Sequence, residues 1–383
     1  MIKIAFFSVI LNHHQAYLAD ELYKQTDHQF VFVELEKPIA SNSKGGRNCY
    51  SDRPYLLQSW KNDCAKQQAI EVALNAEVAL FGGGLDYMRL RLDKNLLSFE
   101  VGERWLKRGW INVFSPRLLE YLWYYHTQGW KNKSLYKLCS SAYGAGDQYR
   151  LHTFKDRCYK WGYFTKVDDG CIVESPKLDS SFSEITPLMW CARFLKWKHP
   201  ELPILLAHRL KQKGYKFHID MFGSGKEVKQ TKALITELGV EDCINLRGNI
   251  PNEEILIEMR KHSIFLFTSD RNEGWGAVLN EAMSNGCAVV ASNAIGSVPF
   301  LIEDGKNGMV FKTCNIDSLV EKVSYLLDNA EERQEMAVKA YQTMRDLWSP
   351  QIAAKNLLIL IEDIKNDNDT RIVKGPCSKA LPI

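Results

Sequence analysis

The 383-residue chain has no Cys-x-x-Cys, and its ten cysteines show no metal-like spacing with its nine histidines. Reduced thiols in a cytosolic enzyme are the plain reading of those cysteines. There is no Gly-x-Gly-x-x-Gly with a downstream acid, so a nicotinamide site is not supported. No Asp-x-Asp, a pattern that could hold a metal-bound diphosphate, occurs before residue 365, and neither metal nor cofactor is expected. No apolar run reaches the ~18 residues of a spanning helix. The net charge of only +3 argues against a dedicated nucleic-acid binder. The start Met1–Leu11 lacks a charged lead of any length and a small-residue cleavage site, and reads as a first buried strand rather than a signal segment. No internal repeat is present.

What the chain does have is length for two domains, each able to bury a core. One stretch organises the second half. The apolar run Ser263–Ser269 reads as a buried strand. It is followed by Asp270-Arg-Asn-Glu273-Gly274-Trp275-Gly276-Ala277-Val278 and then a helical pattern that includes Glu281. A strand, a glycine turn and a helix start bring unpaired backbone N–H groups to a place where an anion is favoured. Two carboxylates bracket the turn. An ionised carboxylate only accepts hydrogen bonds, so these suit sugar hydroxyls better than phosphates. A solvated helix position is the plain alternative for Glu281.

Glu273-Gly-Trp-Gly, the Glu281 eight positions on, Met283, Gly286 and Val289-Val-Ala-Ser292 resemble the C-terminal signature of retaining glycosyltransferase family 4, glycosyl transferases group 1. The resemblance implies an α/β chain of GT-B fold: two Rossmann-like doubly wound domains facing a cleft, and metal-independent transfer. It assigns Glu281 to the nucleotide ribose, Glu273 to the transferred sugar, and the backbone of Gly274, Trp275, Gly276, Ala277 and Val278 to sugar and diphosphate. Upstream, a strand from Pro187 ends at Arg193, with Lys198 five residues on. This resembles the family's Gly-Arg-x4-Lys, with Ala192 in place of Gly, and implies that Arg193 and Lys198 hold the diphosphate. Fixed cations there would stabilise the charge built up as the diphosphate departs. Gly223, at the end of the strand 217–222, is a further donor-binding candidate, and the loop of Arg247 and Ile250 resembles one that receives the nucleotide base in the family.

The expected domains are 1–180 on the acceptor side and 187–345 for the nucleotide-sugar. A helix over 351–364 is expected to cross back to the first domain, and a polar, mobile tail to follow from 365. In the first domain, Asn12, His13, His14 and Gln15 read as a loop at the carboxyl end of the first strand, where ligands of open α/β sheets bind; a helix-capping Asn with surface histidines is the alternative. Gly83 lies in a triple glycine after another strand. Family members carry a His near residues 96–104. None is present here, and Glu100 or Glu103 occupies the region. Residues 89–137 hold ten Lys/Arg against four acids, with Trp and Tyr interleaved over 104–137. That suits either an ordinary helix with a core face or peripheral contact with a membrane. The expected activity is sugar transfer from a nucleotide-sugar to a hydroxyl of a glycan or lipid-linked glycan, in cytoplasmic polysaccharide assembly. A sugar-nucleotide epimerase and a non-catalytic nucleotide-sugar binder are the alternatives.

Overall fold

The computed structural model describes residues 2–38, 50–168 and 185–383. The chain divides into two units: residues 1–165 with 347–383, and residues 166–346.

The first unit is built on seven strands: β1 (Ile4–Ser8), β2 (Phe30–Glu34), β3 (Leu56–Gln58), β4 (Val78–Phe81), β5 (Ser98–Gly102), β6 (Leu135–Cys139) and β7 (Cys158–Lys160). They run in the order β3-β2-β1-β4-β5-β6-β7, every neighbouring pair parallel. The helices are α1 (His13–Gln25), α2 (Asp63–Asn75), α3 (Leu85–Asp93), α4 (Pro116–Thr127) and α5 (Gly144–Arg150). The central strands are apolar throughout because helices cover both faces of a parallel sheet. The order reverses direction between β1 and β4, which places the loops after those two strands at the switch point.

The second unit repeats the plan with β8 (Thr186–Cys191), β9 (Phe217–Phe222), β10 (Ile244–Gly248), β11 (Ile264–Phe267), β12 (Ala288–Ser292) and β13 (Met309–Phe311). Their order is β10-β9-β8-β11-β12-β13, again all parallel. Its helices are α6 (Glu201–Gln212), α7 (Val228–Leu238), α8 (Asn252–Lys261), α9 (Val278–Ser284), α10 (Val298–Leu301), α11 (Ile316–Asp328) and α12 (Ala330–Asp346). Leu188, Trp190, Ile219, Met221, Ile264 and Leu266 pack under α6, α7 and α11 to form the core. Here the switch point lies between β8 and β11. The last helix, α13 (Pro350–Lys365), belongs to the first unit. Pro350 opens it rather than breaking the one before, because a first-turn position has no hydrogen bond to lose.

Three segments differ from the sequence reading. His13, His14 and Gln15 are not loop but the first turn of α1, whose N-cap Asn12 accepts from the His14 N–H at 3.0 Å. β3 lies inside a stretch too polar to suggest a strand; most of the remaining loop, like the expected linker over 169–184, is outside the described residues. The residues after Lys365 are not a loose tail. The Cys377 N–H donates to the Lys160 carbonyl at 2.7 Å, the Lys160 N–H to Ser378 at 2.8 Å and the Ala380 N–H to Cys158 at 3.0 Å. They cover the open edge of β7, which would otherwise template further pairing. The only Asp-x-Asp in the chain, Asp367-Asn-Asp369, sits in this segment, and Asp369 pairs with Lys379 at 2.8 Å.

Candidate functional site

In the second unit, the two loops at the switch point carry the charged candidates. After β8 the chain passes Arg193, makes one 3-10 turn over Lys196–Lys198, and reverses at His199 with φ 52°. After β11 it runs through Thr268, Ser269 and Asp270 to the glycine turn. Thr268 fastens the two loops: its hydroxyl donates to the Lys198 carbonyl at 2.7 Å and accepts from the Trp190 indole at 2.9 Å. The Asp270 N–H donates to the Trp197 carbonyl at 3.0 Å. His199 lies 2.6 Å from Glu201 and 3.5 Å from Asp270; the hydrogen bond with Glu201 and the charge of Asp270 raise its pKa.

That frame brings Lys198 and Glu273 together as a buried ion pair. Ser269 donates a second hydrogen bond to the same carboxylate oxygen at 3.0 Å. Burial pulls the Lys198 pKa down, Glu273 raises it, and nearby Arg193 lowers it further. Arg193 itself is exposed. The arrangement is a cation held by one carboxylate, with a second cation beside it, at the carboxyl end of a parallel sheet.

The glycine positions are fixed by backbone and space. At Gly276, φ is 86°, and an added side chain would run into the Phe267 ring. At Gly223, φ is 125°, and a Cβ would collide with the Ala192 carbonyl; the turn is locked there by the Gly223 N–H donating to Gly248 at 2.7 Å and the Phe194 N–H to Ser224 at 2.9 Å. The N–H groups of Gly274, Gly276 and Ala277 donate to none of the described backbone carbonyls. Trp275 is buried, with its indole on the Asn280 side chain at 2.9 Å. Its side chain is therefore a core anchor, and only its backbone remains for a ligand. Ala277 caps α9, so Val278 is the first helical residue and Glu281 lies in the first turn. Arg247 is half exposed, 3.8 Å from Asp220, and Ile250 is half-buried after β10.

Glu281 is not solvated. It is 7% exposed, with Asn252 donating to it at 3.4 Å. Burial pushes its pKa up to about 7. A carboxyl raised from the ordinary ~4.3 holds its proton in the folded state while the unfolded chain has released it, so stability falls as pH rises through that window. Glu281→Gln removes the cost. Its stabilisation over the parent should be larger at pH 8 than at pH 5 by roughly 2 kcal/mol, read by urea unfolding at the two pH values. An unchanged difference would remove Glu281 as a titrating buried group.

The first-unit candidates separate. Asn12 is a helix cap, His14 stacks on Tyr163 with ring centroids 5.7 Å apart, and Gln15 donates to Ser8 at 3.0 Å; His13 stands beside His14. Gly83, Glu100, Glu103, Arg104, Trp105 and Tyr121 line a cavity of about 320 Å³ after β4 and β5. Glu100 is tied to the buried Lys137. Glu103 accepts from Lys107 at 3.1 Å and from the Tyr163 hydroxyl at 3.0 Å. The basic stretch is less basic at the surface than its count. Lys137 is buried, Arg104 is turned onto buried Asp147 at 3.0 Å, and Arg91 is spent on the carbonyls of Ala76 and Leu97 at 2.7 Å. Sequence reasoning missed Thr268, Ser269 and Lys137. The first two stand directly before Asp270 at a strand end, which is the only local signal they give.

Residues 188–343 match the family model described as glycosyl transferases group 1. Among curated relatives, the chain is similar to the poly(glycerol-phosphate) alpha-glucosyltransferase of Bacillus subtilis, 30% identical over 124 residues that cover 32% of this chain and 18% of that one. It is also similar to the amylovoran biosynthesis glycosyltransferase AmsK of Erwinia amylovora, 27% identical over 191 residues, 49% of this chain and 47% of that one. The chain thus spans less than half the length of either. Among solved structures, the lipopolysaccharide outer core galactosyltransferase WaaB superposes with a TM-score of 0.69 at 14% identity, over 95% of this chain and 100% of that one. Anabaena HepE in complex with UDP superposes with a TM-score of 0.68 at 13% identity, over 94% and 100%. These likenesses show the fold, two parallel-sheet α/β units of the GT-B kind.

Proposed function

We propose that this chain, which carries the glycosyl transferases group 1 pattern over residues 188–343, moves a sugar from a nucleotide-sugar donor to a hydroxyl of a glycan or lipid-linked glycan, with retained configuration and without a metal. The observation that carries the reading is the Lys198–Glu273 pair at the switch point of the second unit, beside Arg193 and the glycine turn, where the N–H groups of Gly274, Gly276 and Ala277 donate to none of the described backbone carbonyls. A nucleoside diphosphate entering this site exchanges Glu273 for its own oxygens at Lys198. Glu273 is then free to accept from the sugar hydroxyls. Glu281 accepts from the ribose, and the loops of Gly223 and of Arg247 to Ile250 take the base. As the glycosidic bond to the diphosphate breaks, positive charge grows on the sugar ring and negative charge on the leaving group. Lys198, Arg193 and the turn stabilise the latter. The acceptor oxygen bonds to the anomeric carbon as the bond to the diphosphate breaks, and its proton passes to the departing diphosphate oxygen. In this reading Gly83 and Glu103 of the first unit are the acceptor-side candidates. The likeness to the amylovoran biosynthesis glycosyltransferase supports a place in polysaccharide assembly; the cell surface as its destination and the cytoplasmic side as its location are part of the proposal.

The test is incubation with a panel of nucleotide-sugars in EDTA, with and without oligosaccharide and lipid-linked acceptors. Nucleoside diphosphate release and the anomeric configuration of the product are followed by NMR. Acceptor-dependent transfer with retention is expected. Inversion would contradict the mechanism, conversion of donor without acceptor would make the chain an epimerase, and donor binding without turnover would make it a binding protein.

The same reading includes peripheral membrane contact. No described helix is long and apolar enough to cross a membrane. Trp110, Ile111 and Phe114, each more than 60% exposed, crowd the 3-10 helix Gly109–Phe114 ahead of α4, with Leu119 and Trp123 exposed on α4. Apolar side chains beside Lys107, Arg108 and Arg117 suit an anionic interface. Sedimentation with anionic vesicles at low salt should fall at least about tenfold in a Trp110→Ser/Phe114→Ser double variant, at ~1–2 kcal/mol per buried side chain. Equal sedimentation by parent and variant would exclude this segment as the contact.

A further inference from the structure

We infer that His218, Asp220 and His262 form a binding site for a divalent cation of the zinc class, apart from the charged loops at the switch point. His218 and Asp220 are two apart on β9 and so share a face of the sheet. His262 ends α8 just before β11 and turns its ring to the same place. The three donor atoms lie within 4.8 Å of one another. A small side-chain rotation brings them to the ~3.4 Å spacing of ligands about a tetrahedral cation.

The hydrogen bonding asks for a positive charge at this point. The His262 Nδ1 lies 2.7 Å from the Glu258 carbonyl, which can only accept, so Nδ1 carries the hydrogen. The Nε2 of the neutral ring is then a lone pair, and it faces a carboxylate oxygen of Asp220 at 3.3 Å, both groups buried. Two acceptors in contact away from water repel unless a proton or a metal ion stands between them. The other Asp220 oxygen is already held by the Asn245 amide at 2.7 Å, which leaves the oxygen that faces His262 for a ligand. Carbonyl and amide partners of this kind orient the ligands of metal sites. A proton on Nε2 would satisfy the His262–Asp220 pair but would give His218 no part. The His218 ring meets His262 edge-on at 6.1 Å, and the described residues offer its nitrogens no hydrogen bond. Being half-buried, His218 also leaves a route for the ion and a water as fourth ligand. Two imidazoles and one carboxylate favour zinc-class ions over magnesium or calcium. Arg247, 3.8 Å from the same Asp220 oxygen and half exposed, is the competing cation and can swing outward.

The experiment uses the full chain, stripped with EDTA, dialysed and loaded with zinc chloride. Metal retained after desalting is counted, and the melting temperature is followed against free zinc. One equivalent per chain is expected, with a melting temperature that rises with zinc. His218→Gln is on a half-exposed side chain and leaves the core intact. It should weaken zinc binding at least about tenfold, as His262→Gln should, while Arg247→Ala should strengthen it. Cobalt in place of zinc should give a tetrahedral spectrum without thiolate charge transfer. Sub-stoichiometric zinc, equal retention by His218→Gln, or a thiolate band from exposed Cys64 or Cys314 would overturn the site.

Discussion

Lys198→Ala should lower kcat/KM for donor by a factor of about 10³, whereas Lys196→Ala, two residues away, should leave it within about twofold. The two lysines share one 3-10 turn, but Lys196 is exposed and Lys198 is buried against Glu273. Charge on a departing diphosphate is stabilised most by a cation already fixed in place and shielded from water. Lys198 is fixed by its pair, by the Trp197 ring 4.3 Å from its ammonium, and by the Thr268 hydrogen bond to its carbonyl. The substitution also leaves Glu273 buried without its partner, which costs stability by about 3–5 kcal/mol. The double variant Lys198→Ala/Glu273→Gln separates the effects. It should regain most of the stability and none of the turnover. Steady-state kinetics and urea unfolding on the three variants check this; equal losses from Lys196→Ala and Lys198→Ala would remove Lys198 from the diphosphate role.

Gly223→Ala should abolish measurable donor binding, and Gly239→Ala should not. Both glycines have positive φ, 125° and 62°. Only Gly223 faces an obstacle, the Ala192 carbonyl, while nothing lies within 4 Å of a Cβ at Gly239. At Gly239, the left-handed cap after α7, alanine costs only its backbone strain of about 1 kcal/mol. At Gly223, either the 223–225 turn or the 192–194 loop must move. The second of these carries Arg193 and leads to Lys198, so the damage spreads to the candidate diphosphate site. Calorimetric titration with nucleoside diphosphate, on samples shown folded by circular dichroism, checks the pair. Undiminished binding by Gly223→Ala would mean that the turn does not set the site.

The parts of the site carried by short sequence spacing were legible. Arg193 to Lys198 is one loop, and Glu273 to Glu281 is one turn and the start of one helix, so strand-then-glycine patterning placed them at a strand's carboxyl end. What failed depended on distant chain. That Glu100 meets Lys137 follows from the β5–β6 register, in which the two are directly paired, and no local pattern reveals it. Trp275 stands in the glycine turn, yet its side chain turns inward to Asn280, because helix phase and core space decide the direction. The strand pairing of 377–380 with β7 closes an edge more than 200 residues upstream, where composition alone suggested a solvated tail. His13 to Gln15 were read as loop because polar residues after a strand resemble one; Asn12 is a good cap, and capping started the helix immediately.

The central claim, that the second unit holds a nucleotide-sugar donor, is tested most directly by thermal shift of the purified protein with UDP, GDP, ADP and CMP and their sugar conjugates in EDTA. A ligand that binds only the folded state raises the melting temperature by mass action. One base should stand out, the shift should persist without metal, and Glu281→Ala should remove it while remaining folded. No shift with any nucleotide in a well-folded sample, or an undiminished shift in Glu281→Ala, would contradict it.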